Sequence, residues 1–132
     1  MVLVILLVLA LFVLQTLLPA RFRSMAVQGA GQKLAHALGP RDDPPPRTKL
    51  GGRSERALAN MQEALPVFLT LALLNLILGT GDLAVTGATV FLVARILYVP
   101  AYLAGIVGVR TLVWVASLVG LVMMLIPILS RT

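Results

Sequence analysis

Cysteine is absent from all 132 residues, which excludes disulfides, thiolate metal sites and cysteine nucleophiles. Charge is scarce as well: 12% of residues are charged, where a soluble domain carries about a quarter. Acids number only five against eleven Lys and Arg. The single histidine, His36, has no other ligand type clustered beside it, so a solvated loop position is expected rather than a metal or triad role. No glycine loop of the strand–turn–helix kind that cradles phosphate is present. The net charge of +6 does not point to nucleic acid, because the basic residues lack interleaved aromatics for base stacking. They follow the ends of the apolar runs instead, where anionic lipid headgroups on the cytoplasmic face account for them.

What the chain has in abundance is apolar residues, 59% of the total, gathered into long runs. Such runs are read as lipid-facing helices. The first covers 2–18, broken only by Gln15 and Thr16. No Lys or Arg precedes it and Arg21 and Arg23 follow at once, which predicts an uncleaved anchor. A long polar connection over 20–53 contains Gly39-Pro40 and Pro44-Pro45-Pro46, which cannot continue a helix. Gly51-Gly52 loosens the chain before Ser54, the expected N-cap of a second helix, with Glu55 in its first turn. Further helices are expected over about 54–78, 83–106 and 111–129, with a tight turn at Gly79-Thr80-Gly81-Asp82. Pro66, Pro100 and Pro127 are expected to kink them. The fold class is therefore all-α: one four-helix bundle in the membrane.

Charge counting sets the expected orientation. Arg21, Arg23, Lys33, Arg41, Arg47, Lys49, Arg53 and Arg56 fall between the first span and the entry to the second, and Arg110 falls on the same side. The opposite side has only Asp82 and Arg131. By the positive-inside rule both termini lie outside the cytoplasm. No internal repeat is visible, which argues against an inverted-repeat transporter.

Polar residues within apolar spans are costly and need a reason to be there. Arg56, Asn60 and Glu63 follow one another at i, i+4 and i+7, a stripe roughly 60° wide at 100° per residue. Arg95, Tyr98 and Tyr102 make a second stripe at i, i+3 and i+7. A Glu63–Arg95 ion pair with Asn60 as interhelical glue would account for some of these residues. Six of them on two matching faces point further, to a polar, anionic ligand between helices. Arg110, at the start of the last span, is read either as a snorkelling boundary marker or as a cation at an anion-favouring helix N-terminus. Asn75 is read as interhelical or interfacial, Met123-Met124 as filler, and Trp114 as packing or substrate contact alike.

The stretch from Arg53 to Phe68, with its R-x-x-x-N-x-x-E core at Arg56, Asn60 and Glu63, resembles the MAPEG family, the membrane-associated proteins of eicosanoid and glutathione metabolism. Arg95, Tyr98 and Tyr102, followed by Gly105, Arg110 and Thr111, look like the family's third helix and the start of its fourth. Arg21-Phe22-Arg23 is similar to an R-x-R pair closing its first helix. The second-helix pattern with Pro66 and Phe68 looks more like bacterial members, and Tyr98 stands where several eukaryotic members have histidine. The resemblance implies a homotrimer with glutathione between subunits near the cytoplasmic face. Carried over, Arg56, Asn60, Glu63, Tyr98, Tyr102 and Arg21 would contact glutathione. Arg110 would stabilise the thiolate, with Thr111 beside it. A nearby guanidinium does favour the nucleophilic form of a thiol.

The expected function is thus glutathione-dependent conjugation of, or peroxide reduction in, lipophilic electrophiles arriving through the bilayer, with glutathione as co-substrate and no metal. The expected location is a bacterial inner membrane. The alternative is a non-enzymatic scaffold or a small exporter. Against the exporter, the first span contains no charge, whereas small four-helix exporters carry an essential carboxylate there.

Overall fold

The computed structural model describes residues 1–27, 29, 31, 32, 34, 38, 39 and 48–131. Helix α1 is Val2–Ala26, α2 Lys49–Ile77, α3 Asp82–Ala104 and α4 Val107–Leu129. All four are long and apolar enough to cross a membrane. His36, Lys33, Arg41, Arg47 and the run Pro44-Pro45-Pro46 lie outside the described residues.

The helix boundaries differ from the sequence reading in ways that matter for the site. Helix α1 does not stop at 18 but runs through Pro19, Arg21 and Arg23 to Ala26. Pro19 lies inside it and cannot donate to the Gln15 carbonyl, yet the helix continues past it, and arginines at a span's end extend along it to reach water. The cap of α2 is Thr48, six residues before Ser54: its Oγ1 accepts from the Gly51 N–H at 3.0 Å. Gly51-Gly52 therefore belongs to the first turn of the helix. A Cβ on Gly51 would lie 2.9 Å from the Thr48 hydroxyl oxygen, so its absence lets that cap close. Ser54 donates back to the Gly51 carbonyl at 2.8 Å. At the same end of the bundle, α3 closes at Gly105, whose φ of +78° is the left-handed cap that favours glycine. Helix α4 restarts at Val107, so only Gly105 and Ile106 separate α3 from α4. Arg110 accordingly lies within the first turn of α4, its N–H already bonded to the Ile106 carbonyl at 3.0 Å.

Helices α3 and α4 touch backbone to backbone. A Cβ on Gly87 would stand 2.7 Å from the Gly120 carbonyl oxygen, and one on Gly120 would stand 2.7 Å from that of Gly87. Small residues at helix contacts permit this approach, which in lipid must be held by packing because tails are as apolar as leucine. The core beside it joins all four helices through Val8, Met61, Phe68, Phe91, Leu121 and Met124. The Phe68 and Phe91 rings stack there, 4.6 Å apart and 15° from parallel. Towards the α2–α3 turn, buried Asn75 ties α2 to α4: its Nδ2 donates to the Leu71 carbonyl at 2.8 Å and the Met124 carbonyl at 2.9 Å. Its Oδ1 accepts from the Thr80 hydroxyl. Asn75 is thus interhelical. Arg131 closes that end by donating to the Leu78 carbonyl at 3.1 Å. The outer surface is largely apolar, with Leu3, Ile77, Leu112 and Val122 exposed, as a lipid-facing surface requires.

Candidate functional site

The polar stripes of α2 and α3 meet at the end of the bundle that holds the α3–α4 turn. Arg95 is buried, 2% exposed, and its Nη1 donates to Asn60 Oδ1 at 2.5 Å. Its guanidinium carbon lies 5.1 Å from the Phe91 ring centre and 5.6 Å from that of Tyr98. Its Nε has no hydrogen-bond partner among the described residues. Glu63 is exposed and forms no ion pair with Arg95 among the described residues, so the partner of this arginine is an amide and two rings. Within the single chain, Glu63 therefore stands apart from the Arg95–Asn60 contact.

One turn further along, Arg56 Nε donates to the Tyr102 hydroxyl at 3.3 Å. Tyr102 and Tyr98 lie 5.4 Å apart with their rings tilted by 54°. Arg110 rests on the outer ring, 5.1 Å from the Tyr102 centre. These contacts place Tyr102 between two cations, Arg56 at its hydroxyl and Arg110 over its face. Thr111 turns its hydroxyl back to the Val107 carbonyl at 3.1 Å.

A cavity of about 310 Å³ opens between these groups, lined by Asn60, Tyr98, Tyr102, Arg110, Thr111 and Trp114. Its lining has one cation and no carboxylate. The hydrogen-bond directions sharpen this asymmetry. Asn60 has its oxygen engaged by Arg95, which leaves its Nδ2 to donate. Tyr102 accepts from Arg56, which leaves its own O–H to donate. Arg110 has none of its guanidinium N–H groups hydrogen-bonded among the described residues, and guanidinium can only donate. The cavity therefore offers donors and positive charge, the chemistry of a site for an anion rich in carbonyl and carboxylate oxygens.

Four residues expected at the site line this cavity alongside Arg110: Asn60, Tyr98, Tyr102 and Thr111. Arg95 and Arg56 stand behind it, each fixing one of its lining groups. Arg21 is elsewhere in this chain. It is exposed, at the edge of a wider and mostly apolar groove of about 750 Å³ between α1 and α3, whose walls include Leu14, Leu18, Ile96 and Val99. Buried Gln15 also lines that groove, its Oε1 without a partner among the described residues. The groove is larger, but a single cation on apolar walls offers little for binding a polar anion, so the smaller cavity carries the chemistry. Trp114 is the lining residue whose role sequence left open. Its spacing from Arg110, i+4 on α4, puts it on the same face. The ring of Phe91 beneath Arg95 had no signal in the sequence beyond being four residues before it.

Compared with known proteins, residues 1–130 match the MAPEG family, whereas no curated protein and no solved structure matches. A match along nearly the whole length, on a chain with four membrane-length helices, settles the relationship: the chain belongs to the MAPEG family, integral membrane proteins that include glutathione transferases and related enzymes.

Proposed function

We propose that the protein is a membrane-embedded, glutathione-dependent transferase or peroxidase acting on lipophilic electrophiles. The observation that carries this reading is Arg110. Its guanidinium lies over Tyr102, its donors are free among the described residues, and it lines a cavity without a carboxylate. Glutathione is a net anion with several carbonyl and carboxylate acceptors, and Asn60 Nδ2, the Tyr102 hydroxyl and Arg110 match it. Arg56, Asn60 and Glu63 hold the tripeptide, with Tyr98, Tyr102 and Thr111 beside it. Arg110 stands nearest the sulfur and favours the thiolate. In conjugation the sulfur forms a bond to an electrophilic carbon whose leaving group departs with the electron pair, and the thiol proton passes to solvent. The chain supplies no nucleophile of its own; it orients and ionises the thiol.

The same reading makes the working unit a homotrimer in a bacterial inner membrane, with both termini outside the cytoplasm. Support for association comes from Gln62 and Glu63, both exposed on a single chain in the middle of α2. A carboxylate facing lipid is costly, and a second copy over that face removes the cost. Arg21 of a neighbouring copy would then be available to the glutathione.

Calorimetry of the detergent-purified protein with glutathione is the first test: heat of binding is expected, and its absence would favour a scaffold. The ultraviolet thiolate band of bound glutathione then assigns Arg110. Arg110→Ala should raise the apparent thiol pKa by about one to two. It should also cut kcat about a hundredfold, the scale of losing one preorganised charge stabiliser. Asn60→Ala should raise KM for glutathione first. An unchanged thiol pKa and turnover in Arg110→Ala would make this arginine a boundary marker only.

A further inference from the structure

Arg53 has no place in the cavity, yet it makes a long-range contact with the turn from which α4 starts. Its Nη1 donates to the Leu103 carbonyl at 2.7 Å, across 50 residues of sequence. Leu103 lies in the last turn of α3, where carbonyls have no partner within the helix. Those of Ala101 and Tyr102 are taken by the Gly105 N–H, so Arg53 satisfies the next in line. A cation also suits the negative end of a helix. The guanidinium lies flat against Gly105: a Cβ there would stand 2.5 Å from Nη2, 2.7 Å from Cζ and 2.9 Å from Nη1. Gly105 is thus required twice, for its positive φ and for the space occupied by Arg53.

The consequence runs through a very short link. Gly105 and Ile106 alone join α3 to α4, so whatever holds this turn sets the start of α4 and with it Arg110 and Trp114. Arg53 and Arg56, at i and i+3 on α2, hold neighbouring points of α3, the Leu103 carbonyl and the Tyr102 hydroxyl. Tyr102 in turn carries Arg110 on its ring.

We infer that Arg53 is a positioning residue: with Gly105 it forms a clasp between α2 and the α3–α4 turn that places the Arg110 guanidinium at the cavity. Its bearing on catalysis rests on the glutathione reading above, whereas the clasp itself does not. Trp114, the single tryptophan of the chain, lines the cavity and reports on it without any ligand.

The experiment follows Trp114 emission and its quenching by acrylamide in detergent for the wild type, Arg53→Met, Arg53→Lys, Gly105→Ala and the double variant Arg53→Met/Gly105→Ala. Arg53→Met should raise quenching of Trp114 in protein that still elutes as the wild type does. Arg53→Lys, which keeps a donor on a long stem, should recover much of the difference. The double variant should resemble the more affected single variant, because both break one contact; independent effects would add. Where glutathione binds, Arg53→Met should also raise the apparent thiol pKa and lower kcat about tenfold, with KM for glutathione changing less, as expected for a misplaced group. Failure of glutathione to bind the wild type would remove the function and leave the tryptophan measurement standing. Unaltered Trp114 quenching in Arg53→Met, or strict additivity in the double variant, would overturn the clasp.

Discussion

Asn60 is asked to do two things, and its removal separates them. In the free protein its Oδ1 is the hydrogen-bond acceptor for the buried Arg95 guanidinium. Replacing Asn60 with leucine keeps the branching and heavy-atom count of the side chain and deletes that acceptor. Arg95, 2% exposed and already without a partner for Nε, would keep only the rings of Phe91 and Tyr98. A hydrogen bond to a charged group contributes about 1.5–3 kcal/mol, and leaving a charge buried and unpaired costs more still. The expected loss for Asn60→Leu is therefore about 2–3 kcal/mol, or roughly 30- to 150-fold in the unfolding equilibrium. Glutathione need not be present, so the measurement is unfolding in mixed micelles of the ligand-free protein. Arg95→Met on top of Asn60→Leu removes the stranded charge along with its partner, so the double variant should be more stable than Asn60→Leu alone. If Asn60→Leu unfolds with the wild type, or if the second substitution deepens the loss, Arg95 is not held by Asn60 as described.

Asn75→Ala should cost about 1–2 kcal/mol, the upper range for an interhelical hydrogen bond in membranes, because it removes the donor to the Met124 carbonyl that ties α2 to α4; exposed Thr70→Ala is the matched control in the same unfolding assay. Gly87→Ala should lower stability by about 1–3 kcal/mol, since its Cβ would meet the Gly120 carbonyl and the Met124 nitrogen and force α3 and α4 apart. Gly108→Ala, with nothing within 4 Å of the added carbon, should be neutral, and equal melting of the two variants would contradict the backbone contact. For orientation, the chain has no cysteine of its own, so single cysteines at Ser24 and Ser130 can be labelled on intact cells. The residue at 130 should react with an impermeant reagent and the one at 24 should not; the opposite pattern reverses the topology.

Much of this protein was legible without coordinates, for a physical reason. Crossing a hydrocarbon layer about 30 Å thick is a requirement each span must meet alone, so it is written locally, in run length and in the absence of charge. The stripes Arg56–Asn60–Glu63 and Arg95–Tyr98–Tyr102 were legible too, because helical period converts spacing directly into a shared face. Helix ends were less so. Gly51-Gly52 looks like a break until the Thr48 hydroxyl is seen capping the Gly51 N–H, and the last two helices look separated by 107–110 until Gly105 and Ile106 alone are seen to join them.

What one stripe meets on another depends on the rotation of each helix about its axis and on its depth, and neither is a local property. Only the tertiary structure could give Arg95 to Asn60 and leave Glu63 outside, where charge alone suggested a Glu63–Arg95 pair. Rotation likewise set Tyr102 between Arg56 and Arg110 and turned Trp114 into the cavity. Arg53 is the extreme case. From sequence it is one more positive charge marking a membrane boundary. Its contact with Leu103 and Gly105 exists because two helix ends 50 residues apart arrive at the same depth, and no spacing along the chain encodes that meeting.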